Sequence, residues 1–134
     1  MKIFLDTSVL IDLLDKDPSA TSKVSSLRNL ASFYTSTLNI YEALRGILVF
    51  EGKKRDFSLN SLGTLITNIS VLDLDMEGAK SAALTYAELR KAGTPINEPD
   101  YLVAGIAISN GIFSIMTKNA RHFEKVKKLK VIPY

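Results

Sequence analysis

The chain has 134 residues, the usual length of one domain, and its 46% hydrophobic and 23% charged residues exclude a disordered chain. The absence of cysteine excludes disulfide bonds, thiolate nucleophiles and zinc–thiolate sites, and the single histidine, His122, excludes a metal site built from several imidazoles. The net charge of +3 permits a nucleic-acid partner without requiring one.

The apolar stretches of the chain do not have the form of targeting or membrane segments. Residues 1–14 contain Asp6 and Asp12, which the apolar part of a signal peptide would not carry. The longest uncharged run, residues 101–117, is shorter than the about 20 residues that span a bilayer, and Asn110-Gly111 interrupts it with a turn signal. We therefore expect a soluble cytoplasmic protein without membrane contact, in which residues 1–134 form one domain.

The first half of the chain alternates short apolar segments with segments of helical spacing. In chain order, the predicted elements are a strand at Lys2–Leu5, helices at Thr7–Leu14 and Ser22–Leu30, a strand at Ser32–Ser36, and helices from Thr37 to about Phe50 and at Phe57–Ile66. Thr37 is the predicted N-cap of its helix. The charged segment Glu51–Arg55 is predicted as a polar break between two helices.

The second half continues the alternation. Its predicted elements are a strand at Ile69–Leu74, a helix from the cap Asp75 to about Lys91, a helix at Tyr101–Ser109, and strands at Ile112–Met116 and Lys130–Ile132. Asn97-Glu98-Pro99-Asp100 combines a polar cap, a proline and first-turn acids, which is typical of a helix start. The alternation predicts an α/β fold with a short, mainly parallel central sheet flanked by helices.

Three carboxylates that are far apart in the sequence fall near the predicted ends of parallel strands. Asp6 directly follows the first strand, Glu42 lies in the second turn of the helix after the second strand, and Asp100 lies in the first turn of its helix. Because ligands of open parallel sheets bind beyond the carboxyl ends of the strands, we expect the three side chains to converge at this edge.

A cluster of ionised carboxylates is stabilised by protons or by a cation. Two unit charges about 4 Å apart repel by roughly 4 kcal/mol at an effective dielectric constant of about 20. Ligand sets made of oxygen alone suit Mg²⁺ or Mn²⁺, and such an ion can activate water for phosphodiester hydrolysis. The three acids together therefore indicate a metal-dependent hydrolase.

Each acid taken alone also has a structural explanation. Asp6 is suited to cap a helix, Glu42 can pair with Arg45, and Asp100 can interact with a helix dipole. The functional interpretation depends on the three together. Five other acids are assigned to helix caps and solvent, namely Asp12, Asp15, Asp73, Asp75 and Glu77, while Glu98 can belong to the site or to a helix start.

Four motifs resemble those of PIN-domain proteins, in the same order and along the whole chain. They are Phe4-Leu-Asp6-Thr-Ser-Val-Leu-Ile-Asp12, Asn39-Ile-Tyr-Glu42-Ala-Leu, Pro95-Ile-Asn-Glu-Pro-Asp100-Tyr-Leu-Val-Ala and Met116-Thr-Lys-Asn119-Ala-Arg-His-Phe123. In size the chain is similar to the VapC group, the ribonuclease toxins of prokaryotic toxin–antitoxin pairs. The resemblance implies a three-layer fold and a single PIN domain spanning residues 1–134.

The resemblance further implies an endoribonuclease that uses one or two Mg²⁺ or Mn²⁺ ions. Asp6, Glu42 and Asp100 match the family's acidic catalytic and metal site by position. The family often has a fourth acid in the last motif, and the matching position here is Asn119, which leaves a second ion open. Residues expected around the metal ligands are Thr7, Ser8, Glu98, Thr117 and Asn119, although capping and turn formation explain the hydroxyl residues equally well.

RNA is the implied substrate, and a homodimer and an antitoxin that covers the site are the implied protein partners. The apolar residues of Leu44–Phe50 and Phe57–Ile66 can form a groove for such a partner, or they can belong to the core. Possible contacts to RNA phosphates are Arg121, Lys125, Lys127 and Lys128, whose alternative is a solvated charged face. His122 can act as a general acid or have a structural role only.

Two other enzyme classes with acids at a sheet edge fit poorly. A receiver domain needs adjacent acids after the first strand, but Thr7-Ser8 follows Asp6, and the segment Ser32–Ser36 lacks an acid. A haloacid-dehalogenase-like phosphatase needs a second Asp where Ser8 stands. The non-enzyme alternative is a catalytically weak or inactive PIN domain that acts as an RNA-binding or scaffold protein. Asn119 favours it, and the three retained acids oppose it.

Overall fold

Five short strands form one sheet in which every neighbouring pair is parallel, in the order β3-β2-β1-β4-β5. The computed structural model describes residues 1–134. The strands are β1 (Lys2–Leu5), β2 (Ser32–Ser36), β3 (Ser70–Leu72), β4 (Ser114–Met116) and β5 (Lys130–Ile132). The predicted α/β fold is confirmed, and the sheet is wholly rather than mainly parallel.

Seven helices cover the two faces of this sheet. They are α1 (Thr7–Leu14), α2 (Pro18–Leu27), α3 (Thr37–Leu48), α4 (Gly52–Ile66), α5 (Met76–Lys91), α6 (Glu98–Ser109) and α7 (Ala120–Phe123). None of them combines the length and the apolar character that crossing a membrane requires.

Alternation along β1 divides the hydrophobic core into two layers. Phe4 packs with the buried residues of α5, α6 and α7, among them Ile106 and Phe123. Ile3 and Leu5 point to the opposite face, where they pack with residues of α1 and against α2, α3 and α4. Because both faces of the central strand are buried, the strand sequence is continuously apolar, as expected for a covered parallel sheet.

The direction of the chain across the sheet reverses at β1. The chain proceeds from β1 to β2 and β3 on one side, and then returns through α5 and α6 to β4 on the other side of β1. In open parallel sheets such a reversal leaves a crevice at the carboxyl ends of the two strands. The carboxyl ends of β1 and β4 are therefore the expected position for a functional site.

Several helix boundaries differ from the sequence predictions because of capping. Helix α2 begins at Pro18 rather than Ser22, since Asp17 accepts a hydrogen bond from the backbone N–H of Ala20 (3.0 Å). Ser36, not Thr37, caps α3, with its hydroxyl accepting from the N–H of Asn39 at 3.3 Å. The predicted polar break at 51–55 instead supplies the first turn of α4. The short helix α7 was not predicted.

Helices α5 and α6 pack closely because small residues meet at their crossing. A Cβ atom at Gly105 would lie 2.6 Å from the backbone nitrogen of Ala82 and would also clash with the carbonyl oxygen of Gly78. The contact fixes α6, whose first turn carries Asp100, against the neighbouring helix.

Candidate active site

Asp6 lies at the carboxyl end of β1, in the crevice between β1 and β4. Its backbone N–H donates to the carbonyl of Met116 in β4 (3.1 Å), and its side chain is buried. One carboxylate oxygen accepts from the amide of Asn39 (3.1 Å) and the other from the hydroxyl of Thr117 (2.7 Å). Donors from α3 and from the end of β4 thus hold the Asp6 carboxylate from two sides.

Asn39 is a residue of this candidate site that the sequence interpretation did not single out. Its side chain is completely buried in the first turn of α3. The amide nitrogen donates to Asp6 and to the hydroxyl of Thr7 (3.0 Å), while the amide oxygen accepts from the Ser36 hydroxyl (2.5 Å). The signal available in the sequence was a polar amide inside an apolar motif, three residues before Glu42. A search restricted to charged side chains misses it, because the amide is neutral.

Glu42 lies one turn after Asn39 on α3 and is half-buried. Its pKa is raised above the ordinary value of 4.5, first by burial and then by the negative charges of Asp6 and Asp100. Hydrogen bonding by the Thr7 side chain and the charge of Arg45 lower the pKa in part. Glu42 is therefore close enough to both other acids to be affected by their charges.

Asp100 lies in the first turn of α6 and is buried. One of its oxygens is hydrogen-bonded to Nδ1 of His122 on α7, at 2.5 Å. This is the only side-chain hydrogen bond that the structure gives to the Asp100 carboxylate. The pair brings the last motif into the site through His122 rather than through Asn119.

Burial and neighbouring negative charges oppose the ionisation of Asp6 and Glu42. Burial raises the pKa of Asp6, and the charge of Asp100 raises it further, while hydrogen bonds from Thr117, the Thr7 backbone and Asn39 oppose the shift. Since the pKa of Glu42 is raised by the same neighbours, the electrostatics place the three acids in one site. The three acids therefore lie near one another, and their role as a catalytic and metal site stays a prediction.

The donor chemistry of this site fits a divalent cation, although no three acidic or imidazole side chains already surround one point as ligands. All donors that the acids offer are oxygens, which suit Mg²⁺ and Mn²⁺. A carboxylate accepts about four hydrogen bonds or ligand contacts, so the Asp6 carboxylate, which receives three hydrogen bonds, keeps about one free position. A cation would also relieve the repulsion that raises the pKa values.

The five residues expected around the acids differ in burial and in their hydrogen-bond partners. Thr7 and Thr117 are buried in the hydrogen-bond network of Asp6. The Ser8 hydroxyl accepts from the N–H of Lys118 (3.0 Å) and holds the segment after β4. Asn119 bonds Thr117 through its backbone N–H (2.9 Å), but its exposed side chain has no hydrogen bond. Glu98 is exposed beside Tyr86 and Tyr101, on the α5 side of α6.

Asp12 was assigned to caps and solvent, and this assignment was wrong. Its carboxylate accepts from Lys118 (2.6 Å) and from the hydroxyl of Tyr134 (2.9 Å). Burial and the bond to Asp12 raise the pKa of Tyr134 above its ordinary range, and the same carboxylate raises the pKa of Lys118. The network joins α1 to the residue that follows Thr117. It draws the Lys118 side chain toward α1.

The four basic residues considered for RNA contact are all exposed. Val126 and Leu129 are buried in the core, which leaves Lys125, Lys127 and Lys128 on the outside of the segment after α7. These lysines border a depression of about 840 Å³ together with the C-terminal end of α5. Lys91 adds positive charge there, and the acids Glu88 and Glu124 reduce it.

The connection between α3 and α4 exposes a patch of large apolar side chains. The patch, called here the α3–α4 apolar patch, consists of Tyr41, Leu48, Val49, Phe50 and Phe57. Val49 is 76% exposed and Phe57 is 61% exposed, so these side chains are not core residues. Large apolar side chains exposed close together in the sequence are candidates for a protein-binding surface.

Comparison with known proteins gives a consistent result. The family model described as PIN domain matches residues 3–129. The tRNA(fMet)-specific endonuclease VapC of Shigella flexneri is 28% identical over 130 residues, which are 97% of this chain and 96% of the relative. Ribonuclease VapC1 of Methanocaldococcus jannaschii is 31% identical over 127 residues, 95% of this chain and 82% of the relative.

A solved structure shares the fold along the whole length. In the crystal structure of DNA-bound VapBC from Salmonella typhimurium, one chain superposes with a TM-score of 0.84 at 25% sequence identity. The match covers 99% of this chain and 98% of that chain. The similarity extends over both helical layers and the sheet between them.

Proposed function

Because this chain belongs to the PIN domain family, we propose that it is an endoribonuclease and the toxin of a toxin–antitoxin pair. The observation that carries the proposal is the proximity of Asp6, Glu42 and Asp100 at the crevice between β1 and β4, where the charge of Asp100 raises the pKa of Asp6 and the charges of both raise the pKa of Glu42. Relatives named as VapC nucleases cover nearly the whole chain, which supports the same activity.

Asp6, Glu42 and Asp100 are the proposed ligands of Mg²⁺ or Mn²⁺. The bound ion would supply stabilisation of the charge that develops on the phosphate, and it would lower the pKa of water. Asn39 and Thr117 fix the orientation of Asp6, and Thr7 lies between Asn39 and Glu42. With Asn119 in place of a fourth acid, the charge of the site favours one ion over two.

The α3–α4 apolar patch is the proposed surface for an antitoxin. The Salmonella structure is of a VapBC complex, and an apolar helix groove is a common mode of peptide recognition. A homodimer remains a prediction, which light scattering of the purified protein would test.

RNA cleavage by purified protein tests the proposed activity. We expect cleavage of a mixed RNA pool with Mg²⁺ or Mn²⁺, and none with EDTA. Asp6→Asn and Asp100→Asn should each lower the rate by two or more orders of magnitude, while Asp56→Asn, which removes an exposed acid from α4, should cleave at the wild-type rate.

The outcomes separate the proposed enzyme from a scaffold. Wild-type activity in either site variant would refute the proposed site. An absence of cleavage combined with an absence of Mn²⁺ binding would favour the inactive RNA-binding PIN domain. In that case Asn119→Asp, which adds a charge beside the site, is the change expected to restore metal binding.

A further inference from the structure

His122 is the one titratable side chain in contact with the site that the proposed mechanism does not use. It is also the only histidine of the chain. Its Nδ1 lies 2.5 Å from Oδ2 of Asp100, and the side chains of the pair are 28% and 12% exposed, respectively. The bond is therefore partly shielded from water.

The two buried acids of the site differ in how they are held. The Asp6 carboxylate accepts from two side chains, Asn39 and Thr117, which lie on different elements. Asp100 has His122 alone. Loss of one donor would leave Asp6 with another, but loss of His122 would leave the Asp100 carboxylate without a side-chain partner.

The backbone holds His122 in a fixed place. The neighbouring Phe123 is completely buried in the core beneath α6, and the carbonyl of Asn119 accepts from the N–H of His122 at 3.1 Å. The carbonyl of His122 in turn accepts from the N–H of Lys125 at 3.2 Å. The imidazole is therefore presented to Asp100 by a segment that is itself anchored.

We infer that His122 is a positioning residue, whose Nδ1–H orients the Asp100 carboxylate for the divalent cation. This inference rests on the proposed function. An ionised carboxylate, the form that binds a cation, only accepts hydrogen bonds, so this role requires a hydrogen on Nδ1. Partners that hydrogen-bond to a ligating carboxylate fix its orientation, and their removal typically weakens metal binding about 10- to 100-fold.

The decisive measurement is Mn²⁺ affinity, determined by calorimetry without RNA. His122→Leu and His122→Asn introduce side chains of nearly the same shape, but only the Asn amide can donate to Asp100. We expect His122→Leu to weaken Mn²⁺ binding about 10- to 100-fold, and His122→Asn to restore most of the affinity. Equal Mn²⁺ affinity of the wild type and His122→Leu would overturn the inference. So would equal weakening in both variants.

Thermal unfolding of the same proteins distinguishes positioning from a structural role. A merely structural histidine would lower the melting temperature of His122→Leu and leave its Mn²⁺ affinity unchanged. Positioning predicts weaker Mn²⁺ binding by His122→Leu at a temperature at which the variant is fully folded, even though loss of the only side-chain partner of the buried Asp100 also lowers its melting temperature.

Nitrogen-15 NMR of the wild type provides a test that needs no variant. A single histidine gives a single pair of imidazole nitrogen signals, which report the tautomer directly. We expect Nδ1 to carry hydrogen in the metal-free protein at neutral pH. A neutral ring with hydrogen on Nε2 alone would exclude the donor role. Because neither measurement uses RNA, a failure of RNA cleavage would count against the proposed function and not against this inference.

Discussion

At the scale of single residues, the site depends on neutral side chains as much as on its acids. Asn39 contacts Asp6, Thr7 and Ser36, and thereby links the end of β1 to the start of α3. Each of these groups is buried and has its hydrogen-bond partner inside the protein. Such a network is stable only when complete, because each unpaired buried polar group costs free energy.

We expect Asn39→Ala to lower both stability and activity. The change leaves Asp6, Thr7 and Ser36 each with one partner fewer, which should lower the free energy of unfolding by about 1–3 kcal/mol. Urea unfolding measures the loss. Asn68→Ala is the control, because that exposed amide makes a side-chain hydrogen bond only to the neighbouring Thr67. Equal stability of the two variants would show that the buried network contributes little.

The raised pKa of Glu42 predicts a pH dependence of stability in metal-free buffer. Below its ordinary pKa of 4.5, Glu42 is protonated in both states. As pH rises from there through the raised pKa, the folded protein holds more protons than the unfolded chain, so the free energy of unfolding falls. In EDTA, Glu42→Gln should lose less stability over this range than the wild type. Parallel curves for the two proteins would contradict the prediction.

At the scale of elements, the sequence predicted the order of strands and helices because apolar periodicity is local. β1, β2 and β5 have the predicted bounds, and α5 begins after the predicted cap Asp75. The sequence also predicted that the three acids lie near one another, because the carboxyl ends of parallel strands meet at one edge of a sheet. The partners of the acids could not be predicted, because they depend on rotamers and on α7. That helix is only four residues long.

The α5–α6 crossing gives a prediction at this scale. Gly105→Ala places a methyl group against the backbone of Gly78 and Ala82, and overpacking of this kind costs about 1–3 kcal/mol. Gly63→Ala is a matched change in α4, where a Cβ atom meets nothing within 4 Å. It should stabilise the protein by roughly 0.5–1 kcal/mol, the usual difference between the two residues in a helix. Urea unfolding should therefore shift in opposite directions for the two variants.

At the scale of the whole molecule, the basic residues are unevenly distributed, and several of them lie close in sequence to the acidic site. Lysines on the outer side of the segment after α7 lie on the same polypeptide stretch as His122. On the proposed function, the three acids would repel the RNA polyanion and these lysines would attract it. Binding of RNA should therefore depend on salt more than the net charge of +3 suggests.

Removal of two of these lysines should lower the salt dependence of RNA binding. Each contact with a single-stranded phosphate contributes about 0.7 to the slope of log affinity against log salt, so Lys127→Gln with Lys128→Gln should reduce the slope by about 1.4. Binding is measured in the Asp6→Asn background to prevent cleavage. Lys16→Gln with Lys80→Gln removes the same charge elsewhere and should leave the slope unchanged. Equal slopes for both pairs would assign Lys127 and Lys128 to solvent.

The bond between Asp6 and Thr117 joins residues 111 positions apart, and this separation has a consequence during synthesis. A ribosome produces Asp6 111 residues before it produces Thr117. At about 5–20 residues per second, this separation corresponds to roughly 6 to 22 seconds of synthesis. During that interval the nascent chain carries Asp6 without its partner at the end of β4. On the proposed function, RNA cleavage therefore requires a chain in which Thr117 has already been made and has reached Asp6.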